Sequence, residues 1–250
     1  EIFFQFREAC RGIADACRAF DTPVTGGNVS LYNQSPLGAI DPTPTVGMIG
    51  LLEDVTTAVP SHFRAEGDAI LLLGRTHGHL GGSAYWAEVL DCVGGPPPPI
   101  DLAAERALQE VLIAAAAGRL LVSAHDLSDG GLAVALAESC IGGPWATTAF
   151  GAEIDLGRHA ESVSDEGWLF GEDGARALVS CAPERVADLQ RLAGTHGVEC
   201  HFLGLVGPAS ADLEVRRDGS HWRWPVARLR AQHLDAIPRR MAAPVSAGED

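Results

Sequence analysis

Residues Asp68–Leu73 (Asp-Ala-Ile-Leu-Leu-Leu) constrain the fold more than any other stretch of this chain. A short, unbroken apolar run without polar alternation reads as a strand buried in a sheet. Such a strand needs cover, and several segments have the period to supply it. Residues 101–117 and 131–140 read as helices, and 183–193 reads as a third with proline at its start. Strand readings fall between them at 120–123, 176–181 and 200–206. Alternating strands and helices define an α/β (α+β) class, with helices layered on sheets.

The first part of the chain reads differently. Apolar residues Ile2, Phe3, Phe6, Cys10, Ile13, Cys17 and Phe20 follow helical spacing, and Asp21-Thr22-Pro23 stops the helix. Residues 24–32 read as a strand interrupted by Gly26-Gly27, 42–44 as a break, and 45–52 as an apolar β run. The mixed stretch 56–66 makes a domain joint. Further on, 81–90 begins a helix, 94–99 is a proline-rich loop, and Asp101 caps the 101–117 helix. A hairpin is expected around Asp218-Gly219, joining 213–216 to 220–223. Residues 238–250 are small and polar and read as a frayed tail. The first residue is Glu1 and a helix is already under way there, so the sequence reads as cut from something longer.

The formal net charge of -15 argues against a nucleic-acid or anionic-membrane surface. It leaves room for a nucleotide held through Mg²⁺ and backbone N–H groups. None of the six cysteines forms a C-x-x-C pair, which points away from a zinc site and toward a reducing, cytoplasmic compartment. No apolar stretch is long enough to cross a bilayer.

Three strings carry chemistry. The first is Thr25-Gly26-Gly27-Asn28-Val29-Ser30. Glycines let an anion approach backbone N–H groups, Asn28 offers a hard neutral oxygen suited to Mg²⁺, and Ser30 offers a hydroxyl. A Gly-Gly bulge with Asn in a left-handed conformation explains the same residues. The second is His125-Asp126-Leu127-Ser128-Asp129-Gly130-Gly131-Leu132, where a strand meets a helix start. Asp126 or Asp129 would sit on a metal–phosphate group there, or Ser128 or Asp129 would simply cap the helix. The third, Leu169-Phe170-Gly171-Glu172-Asp173-Gly174, is an acidic turn that faces either a ligand or solvent. His77-Gly78-His79 resembles a metal pair but has no further ligands at a typical spacing. There is no nucleophile elbow and no Walker A string.

Together these strings resemble one family, phosphoribosylformylglycinamidine (FGAM) synthase of the aminoimidazole-ribonucleotide-synthase-like superfamily. Thr22–Asn33 is similar to its T-P-V-x-G-G-N-V-S-x-Y-N segment, Pro42–Gly50 to its P-T-P-x-I-G-M-V-G strand, His125–Leu132 to its H-D-x-S-D-G-G-L motif, and Leu169–Glu172 to its L-F-G-E. The resemblance covers residues 1–225 or so. It implies two tandem halves, each with an A and a B domain. Residues 1–60 would end the second A domain, 65–235 would form a complete second B domain, and 236–250 would be a flexible tail.

The resemblance further implies ATP, Mg²⁺ and the substrate formylglycinamide ribonucleotide. By matched position Gly27 would contact ATP, Asn28 would bind Mg²⁺ and Ser30 would contact the ribonucleotide. Asp126, Asp129 and Glu172 would line an auxiliary nucleotide or metal site. No catalytic residue of the family falls within this chain. The partners implied are the missing N-terminal half, a glutaminase subunit or domain, and a small accessory subunit. Asp173-Gly174 departs from the family's usual S-x after L-F-G-E. Two other readings stay open: a non-catalytic half holding a structural nucleotide, and a stand-alone ATP-dependent kinase of the same superfamily.

Overall fold

The computed structural model describes residues 2–30, 34–36, 38, 39, 42–143, 146–157 and 163–242. The chain divides into two compact units, Glu1–Val55 and Thr56–Asp250.

The first unit holds helix α1 (Ile2–Phe20) and a two-residue ladder, β1 (Gln34–Ser35) antiparallel to β2 (Gly38–Ala39). α1 buries no residue, and Ile2, Phe3, Phe4 and Phe6 are exposed. The strands expected over 24–32 and 45–52 do not form in the described residues: 22–30 and 42–52 pair with no other strand. Residues 31–33 lie outside the described residues. A strand is stable only when its backbone N–H and C=O groups find a neighbour. Val46, Met48, Ile49, Leu51 and Leu52 stand exposed, so this apolar run packs on nothing among the described residues of the unit.

The second unit is built on one mixed sheet. In chain order its elements are β3 (Ala69–Leu73), α2 (Ala84–Val89), α3 (Leu102–Ala117), β4 (Ser123–Asp126), α4 (Gly131–Ile141), β5 (Phe150–Asp155), α5 (Asp165–Phe170), β6 (Ala177–Cys181), α6 (Val186–Thr195), β7 (Cys200–Ala209), β8 (Leu213–Arg217), β9 (Ser220–Trp224), α7 (Val226–Leu234) and α8 (Ala236–Ala242). The seven strands run β4-β6-β3-β7-β5-β8-β9, and every pair is antiparallel except β5 with β8.

All five residues of β3 are buried because both faces of this strand are covered. Ala69, Leu71 and Leu73 pack with Leu108, Val111 and Ala115 of α3 and Leu189 and Ala193 of α6. Ile70 and Leu72 pack on the other side with Leu132, Ala135 and Leu136 of α4, Trp168 of α5 and Val226 of α7. Each fully buried leucine contributes about 1.5–3 kcal/mol relative to an exposed one. The 56–66 joint belongs to this unit: Phe63 is buried, its N–H donates to Ser139 O, and Pro60 O accepts from Ala124 N–H.

Local signals explain most boundaries. Asp101 caps α3 by accepting the N–H groups of Ala103 and Ala104, each at 3.0 Å. The β8–β9 hairpin turns at Asp218 and Gly219, both at positive φ, as the two-residue hairpin requires. Strand β4 lies at 123–126, three residues later than the sequence suggests, in register with β6. Ala236–Ala242 is helical where a frayed tail is expected, and 243–250 lie outside the described residues.

Candidate functional site

The segment after α1 presents its side chains outward. Asp21 takes a left-handed φ of 53°, and Thr22 N–H closes the helix end on Cys17 O at 3.0 Å. Residues 22–30 are all exposed. A side chain built at Gly26 or Gly27 would meet nothing within 4 Å, and neither glycine sits in the left-handed region. Asn28 is not left-handed either, and the segment pairs with no strand, so the bulge explanation does not apply. No backbone angle or neighbour within the described residues requires glycine here.

Asn28 Nδ2 donates to Ser30 Oγ at 3.1 Å. That bond orients both groups. It leaves Asn28 Oδ1 as a hard, neutral acceptor and leaves the Ser30 hydroxyl proton for another oxygen.

In the second string the capping expected of Ser128 or Asp129 does not form. Gly130, with φ 77°, precedes α4 as its N-cap, with no side-chain cap. The Gly130 N–H instead reaches Glu172 Oε1, 2.7 Å away and 42 residues along the chain. Asp126 and Asp129 are exposed, while His125 is largely buried. The His125 ring places Nδ1 2.7 Å from Asp126 O and Nε2 3.1 Å from Glu138 Oε2 on α4.

The acidic turn is not solvated. Glu172 Oε1 also accepts the Ala84 N–H at the start of α2, at 2.9 Å, and Glu172 N–H donates to His79 O at 2.9 Å. One carboxylate oxygen therefore closes two helix starts, where N–H groups lack intrahelical partners. Asp173 is buried and accepts three consecutive backbone N–H groups, those of His77 and Gly78 at 2.8 Å and of His79 at 3.1 Å. Gly78 has φ 74°, and a Cβ there would fall 2.5 Å from Val163 Cγ1, so this turn needs glycine. Arg176 is buried beneath, bonded to Asp173 O, Thr76 Oγ1 and Gly171 O. Burial pushes the Arg176 guanidinium down from its ordinary range, opposed by the Asp173 charge.

Sequence reasoning missed Asp173 and Arg176 as organisers, because their partners lie far away in the chain. The two consecutive acids after Gly171 were the available signal. The His77–His79 pair serves through its backbone, and His79 Nε2 lies 2.8 Å from Pro96 O. A cavity of about 690 Å³ opens beside this turn, lined by His77–Leu80, Pro99–Asp101, Asp173–Ala175 and Gly197–Glu199 among others. Among the described residues no three His, Cys, Asp or Glu side chains gather to hold a metal. No helix of the described residues is long and apolar enough to cross a membrane.

A seven-stranded mixed sheet covered by helices, preceded by an exposed Gly-Gly-Asn segment, has a clear match. Residues 65–215 match the family model for AIR synthase related protein, C-terminal domain, and residues 1–52 match its N-terminal domain. The chain belongs to the AIR synthase related family.

Within that family it is similar to phosphoribosylformylglycinamidine synthase subunit PurL. It is 52% identical to the subunit of Thermobifida fusca (strain YX) over 239 residues, covering 95% of this chain and 30% of that protein. Against the Anaeromyxobacter dehalogenans (strain 2CP-C) subunit it is 45% identical over 248 residues, covering 97% and 32%. T. maritima PurL complexed with FGAR superposes with a TM-score of 0.59 at 21% identity, covering 70% of this chain and 30% of that one. T. maritima PurL complexed with ATP gives 0.55 at 21% identity, covering 70% and 28%. These superpositions show a shared fold. The chain spans about 30% of the length of the curated relatives it matches.

Proposed function

We propose that this chain is part of an FGAM synthase, the ATP-dependent ligase that converts formylglycinamide ribonucleotide (FGAR), ammonia and ATP to FGAM, ADP and phosphate. The identity of 52% to the T. fusca subunit over 95% of the chain carries this reading. In the reaction the γ-phosphoryl group passes from ATP to the FGAR amide oxygen. Ammonia then attacks the imidate carbon, the C–O bond to phosphate breaks, and an amidine remains. Catalysis of this kind is chiefly a matter of positioning the phosphoryl group and neutralising its charge.

Gly27, Asn28 and Ser30 take the roles of ATP contact, Mg²⁺ ligand and FGAR contact. Two structural features support them. Glycines that nothing in the described residues demands leave the backbone N–H groups of 26 and 27 open to a phosphate. The Asn28–Ser30 bond leaves one free carboxamide oxygen beside one free hydroxyl proton. That donor set fits Mg²⁺, which takes one or two protein oxygens and completes its shell with phosphates and water. When bound there, the ion would offset phosphate charge. Asn28 would hold it through Oδ1 and Ser30 would orient FGAR.

Glutamine-derived ammonia would come from a glutaminase subunit or domain. The remainder of the enzyme, matching the other 70% or so of the relatives' length, would supply the residues that act on the γ-phosphoryl group. Asp126, Asp129 and Glu172 bear on the auxiliary nucleotide site. Asp126 and Asp129 are exposed and available to it, whereas Glu172 would act through the Gly130 amide it holds. No membrane or nucleic-acid partner enters this reading.

The test is reconstitution. The chain is produced together with the rest of the subunit, the glutaminase and any accessory subunit, and ADP release is followed with and without FGAR. FGAR-dependent release supports the ligase. Nucleotide turnover by the 250-residue chain alone, indifferent to FGAR, would replace it with a kinase.

A further inference from the structure

We propose that Asp173 is a built-in anion: its carboxylate fills a backbone anion site in the wall of the 690 Å³ cavity, and without that carboxylate the same amides bind inorganic phosphate. This inference does not depend on the ligase reading.

The site has the parts of a phosphate nest. Three successive N–H groups, from His77, Gly78 and His79, converge on one carboxylate, with Oδ2 accepting two at 2.8 Å and Oδ1 accepting one at 3.1 Å. The left-handed Gly78, φ 74°, turns these amides toward a common point. Arg176 stands behind them, its Nη2 3.8 Å from Asp173 Oδ2, with the Arg176 side chain fully buried and the Asp173 side chain 5% exposed.

Removing the carboxylate leaves these groups in place. Three amides would then lack their acceptor and the buried Arg176 guanidinium its counter-charge, while keeping its bonds to Asp173 O, Thr76 Oγ1 and Gly171 O, and a buried unpaired donor or charge is costly. A small tetrahedral oxyanion satisfies such a set with charge-assisted bonds. The route in exists already, because His77, Gly78, His79, Asp173, Gly174 and Ala175 all line the cavity. Asp173 is thus a specificity determinant. While it occupies the nest, this wall rejects phosphate, and Asp101 on the same lining adds to the repulsion, whereas Glu199 there is paired with Arg75.

The experiment compares the full chain with Asp173→Gly and Asp173→Ala by thermal melting, in inorganic phosphate and in chloride of matched ionic strength. Both variants are expected to melt lower than wild type in chloride. Phosphate should raise them saturably by about 2–4 °C. Wild type should show no phosphate-specific rise. If a variant is unfolded in chloride, refolding followed by far-UV circular dichroism gives the same answer: phosphate restores the fold if the nest is real. The proposal is overturned if phosphate acts no better than chloride on the variants, or if wild type responds equally.

Discussion

The Gly130 N–H and the Glu172 carboxylate, 2.7 Å apart, join the start of α4 to the turn that follows α5. The same oxygen holds Ala84 at the start of α2, so one side chain sets the geometry of two helix entrances. Glu172→Ala should lower stability by about 2 kcal/mol, the usual cost of losing hydrogen bonds to a charged group. Glu172→Gln keeps an acceptor and should cost less. Urea denaturation checks both. An unchanged midpoint for the alanine variant would show that the carboxylate has no bracing role.

Arg176 answers to a larger penalty. Its guanidinium is buried and bonded to three partners, two of them backbone carbonyls. Arg176→Met should cost about 3–5 kcal/mol, because it strands the Asp173 charge and leaves those acceptors unpaired. Chemical denaturation at neutral pH measures this.

Asp68 sets a pH dependence of unusual sign. It is buried just before β3, its Oδ2 lacks a hydrogen-bond partner among the described residues, and burial together with the nearby Glu184 raises its carboxyl above the ordinary value of 3.8. A raised carboxyl binds its proton more tightly in the folded state. Its contribution is therefore fully present below 3.8 and is lost as pH rises through the folded value. Asp68→Asn should thus be more stable than wild type near pH 7, with the difference vanishing toward pH 3. Stability curves of both proteins across that range test it, and a gap that widens on acidification would reverse the sign.

Five of the six cysteines should divide into two reactivity classes. Cys10 and Cys92 are exposed. Burial pushes the Cys181 thiol up to about 11 and the Cys200 thiol up to about 12, and raises Cys140 further. A neutral-pH thiol reagent should label Cys10 and Cys92 in the native chain. It should reach Cys140, Cys181 and Cys200 only after unfolding, as peptide mapping would report.

What could be read from the residues follows from how local each signal is. α1, α3, α4 and the β8–β9 hairpin carry their own period, cap or turn pair, and they form where expected. β5 escaped because Phe-Gly-Ala-Glu-Ile-Asp has two acids and a glycine, and its strand character comes from β7 on one side and β8 on the other. α5 is only six residues long, and the capping Ser164 with Asp165 and Glu166 was its one local mark. The opposite failure occurred at 45–52, whose apolar composition suggests a strand but which has no partner within the described residues. At the site, Asn28 and Ser30 are two residues apart, so their relation was local. The Asp173 and Glu172 contacts span 42 to 96 residues, and no local pattern announces them.

Asn28 carries the proposed Mg²⁺ role. In the reconstituted enzyme, initial rates of FGAR-dependent ADP release should be measured across a Mg²⁺ titration for wild type and Asn28→Ala. The proposed role of Asn28 requires a loss of about a hundredfold in kcat for the variant, with a higher Mg²⁺ requirement and an unchanged melting temperature. Wild-type rates and Mg²⁺ dependence in Asn28→Ala would contradict it.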